Sequence, residues 1–164
     1  MHTKQAAFSL HELLMVLALI TIIGSLGIPN FSILSARLQG DTQANLLIGH
    51  MNAARAQAIQ YAMQIELCGS ANGRDCSGDW QAGWLTRNKS TSEVLAKHTL
   101  PPPLALQWKG FNKSIIFYPN GTAPAANGRF HLCHPASPKR WEIVLNKPGR
   151  IKAESSSGQD IQGC

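Results

Sequence analysis

The sequence predicts an α+β protein in which one long N-terminal helix packs on an antiparallel β-sandwich of about seven or eight short strands. Three observations lead there. The chain of 164 residues carries a charge-free apolar run near its start, from Leu13 to Ile28. Apolar residues then recur at three- and four-residue spacing as far as Met63, which is the period of a helix. Beyond that point the pattern becomes a series of short apolar runs separated by turn residues, as in antiparallel sheets.

Residues 1–7, Met1-His2-Thr3-Lys4-Gln5-Ala6-Ala7, form a short polar leader with a positive charge. Positive residues stay on the cytoplasmic side, so residues 8–28 are expected to form a transmembrane helix with the N-terminus inside and the bulk of the chain exported. Phe8 to Ile28 is long enough for this at about 1.5 Å per residue. A secretory signal peptide would place a small-x-small cleavage site after the apolar region, and none is evident after Leu17. Glu12 stands one turn into the apolar run, where an unpaired carboxylate is costly. No Lys or Arg lies nearby in the same helix, so the natural partner is a cation from another subunit or a newly made N-terminal amine. Cleavage before Phe8 creates such an amine a few residues from Glu12.

Residues 29–63 continue the helix in amphipathic form. Ile33, Leu34, Leu38, Leu47, Ile48, Met51, Ala54, Ala58, Ile59 and Ala62 supply an apolar face for a sheet. Gly40-Asp41 and Gly49 weaken it locally, since Gly costs up to ~1 kcal/mol in a helix interior. Residues 64–164 are the exported sandwich. Strands are expected over Gln64 to Cys68, Ala82 to Arg87, Glu93 to Ala96, Leu104 to Trp108, Ser114 to Tyr118, Arg129 to Cys133, Trp141 to Leu145 and Arg150 to Ala153. Asn72-Gly73, Pro119-Asn120-Gly121, Asn127-Gly128 and Pro148-Gly149 mark turns between them.

Charged residues make up only 15% of the chain, a deficit that the apolar segment accounts for. The formal charge of +6 belongs to the soluble part and implies attraction to polyanions. Cys68, Cys76, Cys133 and Cys164 all follow the membrane segment, an even count suited to an oxidising compartment. Three pairings are possible. Proximity favours Cys68–Cys76 across a turn-rich insert, with Cys133–Cys164 clamping the C-terminus. His131, Cys133 and His134 offer a metal site as the alternative, but no CxxC or HxxxH spacing accompanies them. A half-exposed strand is the preferred reading, with His131 and Cys133 on one face and His134 on the other. No metal or cofactor is expected. Nor is an enzyme: the chain lacks a Gly-rich phosphate loop, a Gly-x-Ser-x-Gly elbow and paired carboxylates.

Ala7-Phe8-Ser9-Leu10-His11-Glu12-Leu13-Leu14-Met15-Val16 resembles the type IV prepilin signal. The resemblance implies that a prepilin peptidase cuts after Ala7 and methylates Phe8, and that Glu12 pairs with a neighbour's amino terminus during assembly. Ala7 stands where that family usually has Gly, and Pro29 falls where its members commonly have a proline. Further on, Ala53-Ala54-Arg55-Ala56-Gln57-Ala58, the segment Cys68 to Cys76, Trp80-Gln81-Ala82-Gly83-Trp84, Ile116 to Gly121, Gly128 to Cys133 and Gly149-Arg150-Ile151-Lys152 are together similar to the GspH/FimT family of minor pilins and pseudopilins. That resemblance covers nearly the whole chain and implies a type IV pilin-like fold. It also implies other pilins as partners, and a path from the inner membrane to the periplasm or a surface pilus.

Lys139, Arg140, Lys147, Arg150 and Lys152 face a single acid, Glu142, within fourteen residues, and are expected to form a basic patch at one end of the sandwich, with Lys113, and Lys109 near it, as an extension. The bland reading is a solvated strand pair. In FimT-type minor pilins the terminal Gly-Arg-x-Arg stretch is associated with DNA binding in natural transformation, and Gly149-Arg150-Ile151-Lys152 is similar. The resemblance thus implies sequence-independent DNA binding through phosphates; the alternative is a structural subunit of a type IV pilus or a type II secretion pseudopilus. Trp80, Trp84, Trp108 and Trp141 are expected mainly in the core, with base stacking as their other use.

Overall fold

The computed structural model describes residues 9–156, the side chains of 26–30 and 155–156 excepted. One helix, α1 (Leu10–Gln60), precedes eight strands: β1 (Ile65–Gly69), β2 (Gly83–Asn88), β3 (Val94–Thr99), β4 (Ala105–Gly110), β5 (Ser114–Phe117), β6 (Gly128–Cys133), β7 (Arg140–Leu145) and β8 (Ile151–Ser156). Every expected strand is present. They form two four-stranded antiparallel sheets, β3-β2-β1-β5 and β4-β6-β7-β8, with α1 packed against both.

At its start α1 is capped by Ser9, whose hydroxyl accepts from the Glu12 amide at 3.2 Å. Ser9-Leu10-His11-Glu12 has the spacing of a capping box, so a carboxylate at Glu12 also sits well against the positive end of the helix dipole. That signal was present in the sequence beside the assembly reading of the same residue. The helix runs unbroken through Pro29, Gly40 and Gly49. It stops at Gln60, short of the expected Met63, because Ala62 adopts a left-handed conformation (φ 50°) and the Met63 amide turns back to the Ala58 carbonyl. Glycine usually takes that place.

The buried stripe of α1 is Ala36, Gly40, Ala44, Leu47, Met51, Ala54 and Ala58, at successive three- and four-residue steps. It differs from the expected face. Ile33, Leu34, Leu38 and Ile59 are exposed, and small residues line the buried side instead. The reason is close approach: a Cβ on Gly40 would lie 2.0 Å from the Trp141 ring. Larger side chains do not fit there, so they turn outward.

From Leu13 to Ile23 the apolar side chains of α1 are likewise exposed, with none of the described residues of the domain covering them. Among the described residues no helix is long and apolar enough to cross a membrane. The expected span, 8–28, reaches beyond that set at both ends, to Phe8 and to the side chains of 26–28.

The core lies between the sheets and α1, around Trp84, Phe117, Phe130, Leu47 and Met51. Trp80 and Trp141 are also buried, while half-buried Trp108 lies 4.5 Å from Phe130 between ring centroids. On the outer side of the first sheet Glu66, only 3% exposed, accepts from Arg87 Nε (2.8 Å), Lys89 Nζ (2.8 Å) and Ser114 Oγ (2.8 Å). Burial alone would raise its pKa; Lys89, Ser114 and Arg87 outweigh that and hold it below the ordinary carboxylate value. Beside it a disulfide joins Cys68 to Cys76 with their Cα atoms 5.5 Å apart. Cys133 is disulfide-bonded; its expected partner Cys164 lies outside the described residues.

Candidate functional site

Strand β7 runs alongside α1 and gives the sandwich two distinguishable ends. Trp141, at its start, meets Gly40 and Asp41; Pro148 and Gly149, just past its end, meet Arg55. At about 1.5 Å per residue those two points on the helix are some 20 Å apart.

This separation divides the expected basic patch. Lys139 and Arg140 lie at the near end, whereas Lys147, Arg150 and Lys152 belong to the β7–β8 turn and the start of β8 at the far end. Five cations close in sequence therefore do not make one patch, because a strand of six residues stands between the groups at about 3.3 Å per residue. Lys139 is moreover engaged. Its Nζ donates to Asp41 Oδ1 (2.5 Å), as does Trp141 Nε1 (2.6 Å), and the ammonium lies 5.4 Å from the Trp141 ring centroid. The hydrogen bonds from Lys139 and then Trp141 hold Asp41 below the usual carboxylate range, against a smaller opposing effect of burial.

At the far end the cations are differently placed. Lys147, Arg150 and Lys152 are exposed and make no ion pair among the described residues. The register sets Lys152 opposite Val144 on the outward face of β8, since Leu145 and Ile151 face the core. On the same face and in the same row, Arg129 stands opposite Val144 and Lys109 opposite Arg129. Arg129 is paired with Glu142. His131, one row away, is buried, and its Nδ1 has no hydrogen-bond partner among the described residues. Burial chiefly keeps its pKa low, with Glu142 opposing and Lys109 and Arg129 assisting, so it adds no positive charge at neutral pH.

The far-end turn is fixed from below by α1. Arg55 Nε donates to the Gly121 carbonyl at 2.8 Å, and its Nη2 reaches the Pro148 carbonyl at 3.4 Å. The Ala123 amide bonds to the Lys147 carbonyl. Gly121 and Gly149 both have positive φ, 75° and 78°, and a Cβ on Gly149 would lie 2.3 Å from the Gly121 carbonyl oxygen. Glycine is required at that contact. Three sequence segments, around Arg55, Gly121 and Gly149, thus meet at one joint.

Beside this joint a cleft of about 790 Å³ opens between the β4–β5 connection, which crosses from one sheet to the other, the loop before β6 and the β7–β8 turn. Lys109, Gly110 and Phe111 form one wall, Pro124, Ala125 and Asn127 another, and Lys147 closes the rim. Lys113 lies in the same β4–β5 connection and is exposed. Phe111 is 89% exposed. The exposed aromatic at this end is therefore not one of the tryptophans. Phe111 is not among the candidate residues expected from the sequence, although a phenylalanine within Gly110-Phe111-Asn112-Lys113 is itself a signal. His131, Cys133 and His134 are not gathered into one cluster: His131 and Cys133 share the outward face of β6, and His134 Nδ1 accepts from the Ala136 amide. Ala7 and Phe8 lie outside the described residues.

The family model described as "Type II transport protein GspH" matches residues 43–149. No curated relative matches the chain. Among solved structures, the type IV minor pilin FimU of Pseudomonas aeruginosa is similar at a TM-score of 0.60 and 21% identity, over 74% of this chain and 91% of that one. The minor pseudopilin EpsH from the Type 2 Secretion System of Vibrio cholerae is similar at a TM-score of 0.54 and 9% identity, over 71% and 97%. At such identities the structural likeness establishes the fold.

Proposed function

The chain belongs to the GspH family, and from that premise we propose that it is a minor pilin that binds DNA without regard to sequence through the far end of its sandwich and assists DNA uptake. The observation that carries the DNA reading is the contrast among its cations. Arg87, Lys89, Arg129 and Lys139 are each neutralised by Glu66, Glu142 or Asp41, whereas Lys147, Arg150 and Lys152 are exposed and have no such partner among the described residues, on one fixed turn and strand. A polyanion is the ligand that such a cluster attracts, and phosphate contacts carry no sequence information.

The exposed apolar face of α1, including Leu34 and Leu38 as well as Leu13 to Ile23, supports a subunit held in the inner membrane and then in a filament by helices of other pilins. Cleavage between Ala7 and Phe8 by a prepilin peptidase, methylation of Phe8, and pairing of Glu12 with a neighbour's new amine belong to the same proposal. Glu12→Val is expected to leave membrane insertion intact and to reduce incorporation into filaments; unchanged incorporation would remove Glu12 from this role.

DNA binding is tested with the full chain in detergent micelles by gel shift on two DNAs of unrelated sequence. Both are expected to shift equally, with an affinity that falls steeply with salt, by a log–log slope of about −3 if three phosphates are contacted. Arg150→Gln with Lys152→Gln is expected to abolish the shift. Retention of full affinity by that variant would overturn the proposed site. The same exposed helix face suits a second reading, a structural subunit of a pilus or type II secretion pseudopilus, which no DNA binding at all would favour.

A further inference from the structure

We infer that the cleft beside the basic turn is a stacking site for an unpaired base, so that the DNA held at the far end is single-stranded; this rests on the DNA reading above and specifies it. Phe111 is the first reason. An 89% exposed phenylalanine is the one large aromatic that the β4–β5 connection turns away from the core, and a base offers a flat apolar face of matching size.

The connection is also built to hold Phe111 in that position. Trp108 Nε1 donates to the Asn112 carbonyl at 2.7 Å, closing the turn over Phe111, and the indole itself is anchored on Phe130. Gly110 and Gly128 lie flush against the same ring: a Cβ at either would come within 2.2 Å and 2.6 Å of it. The aromatic is thus carried on a braced support, so stacking on it orders little that is not already ordered.

Charge supplies the third reason. Lys109 and Lys147 rim the cleft and no carboxylate lines it among the described residues, while Arg150 follows Lys147 across a turn closed by the Gly149 amide on the Asn146 carbonyl. An aromatic face flanked by cations matches a strand whose bases are free and whose phosphates run alongside. Duplex DNA keeps its base faces stacked inside and would meet only the cations.

The test compares a mixed-sequence single strand with the duplex made from it, both labelled and bound to the full chain in detergent micelles at one salt concentration. The single strand is expected to bind more tightly. Phe111→Ala is expected to weaken it about tenfold while leaving duplex affinity unchanged, and Phe111→Trp to restore it. A melting curve checks that the variants remain folded. Equal binding of the two DNAs with no effect of Phe111→Ala would overturn the stacking site and leave the DNA reading standing; no binding of either would overturn both. Competition by polyglutamate as effective as by the single strand would likewise overturn it, since that polyanion has no bases to stack.

Discussion

The two ends of β7 are built from similar residue types and do opposite things with them. At the near end a lysine, a tryptophan and an aspartate close on one another and on a glycine of α1, so that the charge of Lys139 is consumed within the fold. At the far end an arginine of α1 is the consumed cation, bonded to the carbonyls of Gly121 and Pro148, while Lys147, Arg150 and Lys152 remain outside the joint. Internal cations fasten; external ones stay exposed at the surface. The number of basic residues in a segment therefore says little about binding until it is known which of them the fold itself uses.

This contrast can be broken at either end, and the largest effect is expected at the far joint. Gly149→Val places a branched side chain at φ 78° against the Gly121 carbonyl, and should cost about 3 kcal/mol. Thermal melts of the full chain would read this as a clear drop in midpoint, and DNA affinity should fall as well because Arg150 is displaced. At the near end Gly40→Val forces the Trp141 ring away from α1, with an expected loss of about 2 kcal/mol, a change in tryptophan emission and no change in DNA affinity. A shared loss of affinity would mean that the ends are not independent.

Asp41→Asn is milder, below about 1 kcal/mol because the carboxylate is partly exposed and solvent screens it. Its sharper signature is in pH. Since the folded pKa of Asp41 lies below its unfolded value, the wild-type latch contributes fully above about pH 4 and is lost as pH falls through that lowered value. Denaturation curves measured across this acid range should show a shallower pH dependence for Asp41→Asn than for the wild type. Smallest in stability is Arg150→Gln with Lys152→Gln, expected within about 0.5 kcal/mol of the wild type because neither cation has an ion-pair partner among the described residues. The same variant has the largest expected effect on DNA.

Much of the fold was legible because each strand is bracketed by local signals such as Asn127-Gly128 before β6 and Pro148-Gly149 before β8. What stayed hidden depended on contacts between distant residues. The Asp41–Lys139 pair spans 98 positions, and nothing local in Gly40-Asp41 shows that the glycine admits a tryptophan ring. The helix end was missed because an alanine, not a glycine, takes the left-handed turn. The basic run between Lys139 and Lys152 was visible, but its division by the length of β7 is a property of the strand. Phe111 stands out only in the structure, because a lone aromatic between two expected strands does not show in sequence whether it turns inward or outward.

The Arg55 joint also fixes an angle. Because the β7–β8 turn is bonded to a side chain of α1 and not only to its own sheet, Lys147 and Arg150 keep a constant bearing around the helix axis. In any assembly gripped by α1, the subunit's rotation about that axis decides where these cations point. A register change of one residue along the helix, about 100° of rotation, would swing them from the outside of a fibre to a flank shared with the next subunit, leaving every contact within the subunit intact.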